Sequence, residues 1–373
     1  MFCLTLFGGC SQAQKTDSNH LYLLAGSYSD GTTSGISVYD FNMQTGAYSL
    51  VSDVKEVVNP SYLVVSKDEQ MVYSVNETKE GGVSAFKFDK RKGALSFINA
   101  QVAYGNSPCN INVDSRQRFI ITANYGGGNL SVFPLNKDGS IKPISLNINM
   151  NTQNMTVSAD TVPPPPSRIH TVVFTPGEKY LLATDLGKDR IYTFAVEPDA
   201  TDTFLRLLPE RTVALETGSG PRHLAFHPSG NYLYCINELS GTITVLSHIE
   251  DNPVVIQTIV SDTVQTAKRR GSADIHLTAD GRWLYASNRA TANDIAIFSV
   301  NPQTGLLTTI GHQPTGAHPR NFIITPNDKY LLCANQNSNN IQIFEIDSAT
   351  GMLRNTGNDI TLDRPVCLKW IRK

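Results

Sequence analysis

His170, Arg222, Glu238 and Arg289 are side chains of this chain whose types could act together on a polar substrate. A guanidinium presents a planar fork of N–H donors that suits a carboxylate, a phosphate or a developing oxyanion. A carboxylate or an imidazole can take a proton from water. Two arginines, a histidine and a glutamate in one concavity would bind an anion and run acid–base chemistry. The competing reading is that they solvate a surface or pair with one another. The four are far apart in sequence, so the elements that carry them must bring them together.

Those elements repeat. PSYLVVSKDEQMVYSVNE (60–77), PRHLAFHPSGNYLYCINE (221–238) and PRNFIITPNDKYLLCANQ (319–336) share one pattern, and further copies start near residues 108, 169 and 272. Each reads as an apolar strand, a polar turn, a second apolar strand, then Asn or Asp. A Gly/Ser/Asn-rich turn and a third strand follow, as in TITVLSHI (242–249). Self-similarity at this period indicates a propeller or a solenoid. Besides six full copies there is one split copy. Residues 20–50 supply the later strands of a unit, and RPVCLKWI (364–371) supplies its missing first strand. A ring needs such a permutation, because it closes the circle and removes exposed sheet edges. The expected fold is all-β: one seven-bladed β-propeller over residues 20–373, each blade a four-stranded antiparallel sheet, preceded by a tail over 1–19.

In a propeller the first strand of each blade lines the central channel. The start of the first strand and the end of the second lie at the same end of their hairpin, so residues at these slots ring one mouth. The opening slot holds Ser61, Cys109, His170, Arg222, Ala273, Arg320 and Val366, followed by Tyr62, Asn110, Thr171, His223, Asp274, Asn321 and Cys367. The slot after the second strand holds Glu77, Tyr125, Leu186, Glu238, Arg289 and Gln336. His170, Glu238, Arg222 and Arg289 are the expected catalytic group. Arg320, Glu77, Tyr125, His223, Asp274 and His276 are the expected substrate-binding residues, with His276 deeper in the channel. The Asn or Asp before the last slot is expected to bond turn backbone. His227 and His318 read as turn residues.

Other features narrow the possibilities. The charged fraction is 17% and the net charge −2, so no basic face for nucleic acid is implied. Nothing approaches the ~20 consecutive apolar residues of a membrane-spanning helix. No Gly-x-Ser-x-Gly elbow occurs, which disfavours serine-hydrolase chemistry. Gly126–Gly128 has no helix after it and reads as a hairpin turn rather than a phosphate loop. Cys109, Cys235, Cys333 and Cys367 lack metal-ligand spacing, and Cys235 and Cys333 share one repeat position, as buried packing residues would. The longest interruption, SLNINMNTQNMTVSADTVPPPPSR (145–168), is expected to drape over the mouth end of the ring. A second, SDTVQTAKRRGSA (261–273), reaches the same end, and its Lys268-Arg269-Arg270 reads as a solvated charge run. MFCLTLFGGC (1–10) resembles the end of a bacterial lipoprotein signal with Cys10 as a lipid anchor, which implies the cell envelope. Without that processing the expected location is the cytoplasm.

GPRHLAFHPSGNYLYCINELSGTI (220–243) and GAHPRNFIITPNDKYLLCANQNSNNIQIF (316–344) resemble the lactonase seven-bladed propeller family, over about residues 20–371. That family includes bacterial 6-phosphogluconolactonases and a fungal carboxymuconate cyclase. The resemblance implies a small-molecule lactone substrate, hydrolysis of 6-phospho-D-glucono-1,5-lactone to 6-phosphogluconate, and no dinucleotide, haem or other cofactor. In the cyclase branch a His, an Arg, a Glu and a second Arg form the proposed site. By motif these fall on His170, Arg222, Glu238 and Arg289. The general base is left open between Glu238 and His170. Two alternatives accompany this reading: another lactonase or cyclase activity on an unphosphorylated or carboxylate lactone, and a propeller that binds without catalysis.

Overall fold

A computed structural model describes residues 19–152, 165–197, 204–264, 270–290 and 292–373. Cys10, Lys268, Arg269 and the middle of the 145–168 segment lie outside the described residues. The rest forms seven antiparallel sheets arranged as blades. Blade 5 shows the plan: Pro221–Phe226 innermost, then Tyr232–Asn237, Thr242–Ser247 and Val254–Val260 outward, each hydrogen-bonded to the next. In blades 4 and 7 the outer position is shared by two short strands, Leu205–Leu207 with Val213–Ala214, and Leu353–Asn355 with Ile360–Thr361. The only helical element among the described residues is one 3-10 turn, Pro209–Arg211.

The ring closes as the split repeat predicts. Pro365–Arg372 pairs antiparallel with His20–Ser27, completing blade 1 as its innermost strand. Packing explains why closure matters. Each of seven apolar clusters is shared by two neighbouring blades. One joins Phe119, Ile121 and Leu130 of blade 3 to Val172, Leu181 and Phe194 of blade 4. Two more flank blade 1, one against blade 7 through Leu332 and Ile343, the other against blade 2 through Leu63 and Phe86. A blade on its own would expose both faces to water, so the seams hold the fold together. Cys235 and Cys333 are buried in two of these seams, as expected for packing residues, and Cys367 is buried in a third.

Two expectations need correction. Residues 145–168 are not wholly an insertion, because Leu146–Asn149 pairs with Asn129–Val132 and is the outer strand of blade 3. The repeated Asn also does more than bond turn backbone. Asn237 Nδ2 reaches Thr242 Oγ1 and Thr244 Oγ1, both at 2.9 Å, and Asn335 Nδ2 reaches Gln342 Oε1 at 3.0 Å. These bonds tie the second strand to the third. Asp185 keeps the backbone role, accepting from the amides of Arg168, Gly187 and Lys188.

Candidate active site at the channel mouth

Two backbone devices, repeated around the ring, build the mouth. The first is a register shift at the start of the innermost strand in six blades. Ile169 faces Asp185 while Thr171 faces Thr184, so His170 is an extra, unpaired residue. Arg320 is extra in the same way, and Arg222 with His223 occupies the shift of blade 5. An extra residue bends its strand and re-aims its side chain. The second device is a latch. The N–H of the residue after the second strand donates to the carbonyl just before the first: Glu238 to Gly220 at 2.7 Å, Arg289 to Gly271 at 3.0 Å, Glu77 to Asn59 at 3.0 Å. Tyr125, Leu186 and Gln336 are latched likewise to Ser107, Arg168 and His318. In five blades the acceptor residue has positive φ, and in blade 5 it is Gly220, at 65°, where an L side chain would be strained.

On this scaffold the four expected catalytic residues converge. Glu238 Oε2 accepts from Arg222 Nε at 2.9 Å and lies 2.9 Å from Arg289 Nη2. Arg222 Nη1 also donates to the Ala273 carbonyl at 2.6 Å and to His223 Nε2 at 3.1 Å. Arg289 Nε donates to the Gly271 carbonyl at 2.9 Å. The His170 ring stands 5.3 Å from that of His223 and 5.7 Å from that of Tyr125. His170 Nδ1 is sealed from solvent and has no hydrogen-bond partner among the described residues. Glu238 is the most open of the four, with its side chain 22% exposed.

The remaining expected residues are also at the mouth or just below it. His223 Nδ1 bonds Asp274 Oδ1 at 2.7 Å, and His276 Nε2 bonds Asp274 Oδ2 at 3.0 Å. The Phe322 amide and Asn321 Nδ2 donate to the same Oδ2. Arg222 can only donate, so His223 Nε2 carries the lone pair and Nδ1 the proton. Below this cluster the first strands enclose a channel cavity of about 110 Å3, lined by Asn110, Thr171, His223, Asp274, His276 and Lys369 among others. His276 is therefore both bonded to Asp274 and open to the channel. Across the mouth, Arg320 Nη2 lies 3.5 Å from Glu77 Oε2.

Charge state follows from these contacts. Burial, then Arg222, the adjacent His223 ring, Arg320 and Arg289, hold His170 well below the usual histidine range, so its imidazole is neutral at physiological pH. Burial and Arg222 push His223 down to about 4, against the opposing pull of Asp274. Burial alone would raise the Glu238 carboxyl, but Arg289, Arg222 and Arg320 outweigh it and hold it below its ordinary value. Burial and then Arg222 draw Arg289 down to about 9. Three guanidinium groups thus face the carboxylates of Glu77 and Glu238, an excess of one cation in a concave place.

The profile of the family described as lactonase, 7-bladed beta-propeller, matches residues 22–370. The chain belongs to this family. A protein of Formosa agariphila named 6-phosphogluconolactonase is 38% identical over 353 residues, covering 91% of this chain and 97% of its own length. A protein of the same name from Bacillus subtilis is 33% identical over 364 residues, covering 93% and 97%. The solved structure of a periplasmic gluconolactonase from Pseudomonas aeruginosa superposes with a TM-score of 0.87 at 28% identity, covering 94% of this chain and 99% of that one. The seven blades described above agree with that family description.

Sequence reasoning missed three residues at or near the site. Tyr28 donates its hydroxyl to Glu77 Oε2 at 2.9 Å and stacks under the Arg320 guanidinium at 5.2 Å. Its amide is latched to the Arg364 carbonyl, so it is the seventh member of the slot after the second strand. The split repeat held that signal, because His20–Ser27 is the second strand of blade 1. Lys369, deep in the channel, lies 4.5 Å from the centre of the Tyr62 ring. His318 is the latch acceptor of blade 7, with φ 65°, and burial followed by the charges of Arg289 and Arg320 lowers its pKa to about 4. It is a turn residue, as expected, and it also borders the arginines. His227 bonds only within its turn, through Ser229.

Proposed function

We propose that this chain hydrolyses a sugar lactone at the channel mouth, with 6-phospho-D-glucono-1,5-lactone as the substrate. The observation that carries this reading is Glu238 held between Arg222 and Arg289, 2.9 Å from each, beside a neutral His170. The names of the Formosa agariphila and Bacillus subtilis relatives support the choice of substrate.

In this reading water attacks the lactone carbonyl carbon while His170 takes its proton. The carbonyl electrons move onto oxygen, and Arg222 and Arg289 stabilise that oxyanion. Collapse breaks the bond to the ring oxygen, which receives the proton from His170. The product carboxylic acid then loses its proton to solvent. His170 is taken as the base on geometry, because no carboxylate or guanidinium among the described residues is bonded to its ring. Glu238 Oε2 is already engaged by both Arg222 and Arg289. Its role is to hold both arginines in register. Purified protein should open the lactone faster than the spontaneous rate, and His170→Ala should lower kcat by about 10²–10⁴-fold with KM little changed. Wild-type turnover in that variant would remove His170 as the base.

A second reading has its own support. The Pseudomonas aeruginosa neighbour is a periplasmic gluconolactonase, and the first ten residues resemble a lipoprotein signal. An envelope location with an unphosphorylated lactone would follow. Comparing rates on gluconolactone and its 6-phosphate separates the two.

A further inference from the structure

The three arginines at the mouth are engaged to different degrees. Arg222 is 2% exposed and gives donors to Glu238, Ala273 and His223. Arg289 gives donors to Gly271 and Glu238. Both spend part of their donors on protein acceptors and share Glu238 as their carboxylate. Arg320 differs. Its side chain is 16% exposed, its Nη2 is 3.5 Å from Glu77 without a hydrogen bond between them, and its guanidinium makes no hydrogen bond among the described residues. None of its nitrogens is among the sealed, unpartnered atoms, so they stay accessible to a ligand. Tyr28 supports it from one side: the ring packs against the guanidinium while the hydroxyl holds Glu77. Glu77 and Tyr28 come from blades 2 and 1, across the ring from the blade 4–6 group of His170, Arg222, Glu238 and Arg289.

A mostly buried cation with vacant planar donors, braced by a ring and a carboxylate, is built to receive an anion of matching geometry. We propose that Arg320, positioned by Tyr28 and Glu77, is the subsite that binds the phosphate monoester of the substrate. On this assignment the lactone carbonyl lies across the mouth, at Arg222 and Arg289. The proposal rests on the lactonase reading above for the identity of the anion. It assigns phosphate discrimination to blades 7, 1 and 2 and bond breaking to blades 4 to 6. Arg222 gives three of its donors to protein acceptors, whereas Arg320 gives none among the described residues.

The test is steady-state kinetics of the full chain on 6-phosphogluconolactone and on gluconolactone, for wild type, Arg320→Gln and Arg320→Lys. Calorimetric titration with 6-phosphogluconate and with gluconate accompanies it. Arg320→Gln should raise KM for the phosphorylated lactone by about 10- to 100-fold, the loss of hydrogen bonds to a charged group. Any change in kcat should be shared by both lactones, and KM for the plain lactone should rise several-fold less than KM for the phosphorylated one. Arg320→Lys should restore part of the affinity, because it keeps the charge without the fork. Equal losses on both lactones, or a fall in kcat alone, would overturn the subsite. So would a wild type that binds 6-phosphogluconate no better than gluconate. A wild type that opens neither lactone, yet binds 6-phosphogluconate through Arg320, would overturn the lactonase reading and leave the subsite standing.

Discussion

Asp274 and Glu238 are both carboxylates within the central funnel, on neighbouring blades, and they sit in opposite circumstances. Asp274 is 3% exposed and receives four donors, from His223, His276, Asn321 and the Phe322 amide. Burial would raise its carboxyl, but the interactions with His276 and His223 outweigh that and hold it well below the usual carboxylate range. Glu238 is 22% exposed and is held by two guanidinium groups. One carboxylate is saturated by fixed protein donors. The other keeps an open side toward the mouth. The difference separates a carboxylate enclosed by the fold from one that holds its partners at an open mouth. Asp274 sets the His223 tautomer, His223 gives Arg222 an acceptor, and Arg222 braces Glu238. The closed site supports the open one through a chain of hydrogen bonds.

Breaking the closed site should have the larger effect. Asp274→Asn replaces an acceptor oxygen with an NH2 group facing donors that have no other partner. Stability should fall by about 3–5 kcal/mol, the cost of removing one member of a buried ionic network. Urea denaturation at pH 7 checks this, and a loss under 1 kcal/mol would mean that Asp274 is no more fixed than Glu238. Glu238→Gln should do the reverse. The amide oxygen can still accept from Arg222, so the midpoint should move little. A neutral amide holds the two guanidinium groups less firmly than a carboxylate does, so the oxyanion donors lose their register and kcat should fall by about 10²–10³-fold, the range seen when an oxyanion donor is lost. Thermal denaturation with turnover measured on the same sample would contradict this if stability fell while kcat held.

The smallest effect sharpens the comparison through pH. Folding depresses the pKa of His223 from its ordinary 6.5 to about 4, so the unfolded chain binds a proton first as pH falls. The associated stability is complete above about 6.5 and is lost as pH drops toward 4. Between pH 7 and 4.5 it should amount to about 2 kcal/mol for this histidine. His170, also depressed, adds loss in the same direction. The contribution of Asp274 is lost only at still lower pH, below its unfolded pKa of ~3.9. Equal stability at pH 7 and 4.5 would mean that these rings are not buried neutral.

Much of the site was legible because the repeat works as a coordinate system. Once the units are aligned, His170, Arg222 and Arg320 share one slot, and Glu77, Tyr125, Glu238 and Arg289 another. Antiparallel pairing of the first two strands then puts both slots at one end of every blade. Tyr28 escaped because its blade is divided between the two ends of the chain. The start of the 145–168 segment was misread because LNIN offers only two apolar residues, Leu146 and Ile148, alternating with two Asn over four positions, too short a run to stand out from the polar residues around it. It is an outer strand with one face in water, so it has little need of that pattern.

By itself the sequence determined the seven-fold repeat, the closure by its last strand and the ring of polar residues at one mouth. These follow from apolar periodicity and from hairpin geometry, which are local. Only the tertiary structure decided how the charges divide: that Arg222 and Arg289 share Glu238, that Asp274 is saturated, that His170 is neutral with a sealed nitrogen, and that Arg320 is left with vacant donors. Those outcomes depend on register shifts of one residue and on distances between side chains of different blades. Hydrogen bonding and charge stabilisation change over a few tenths of an ångström, a scale that residue spacing along the chain does not specify.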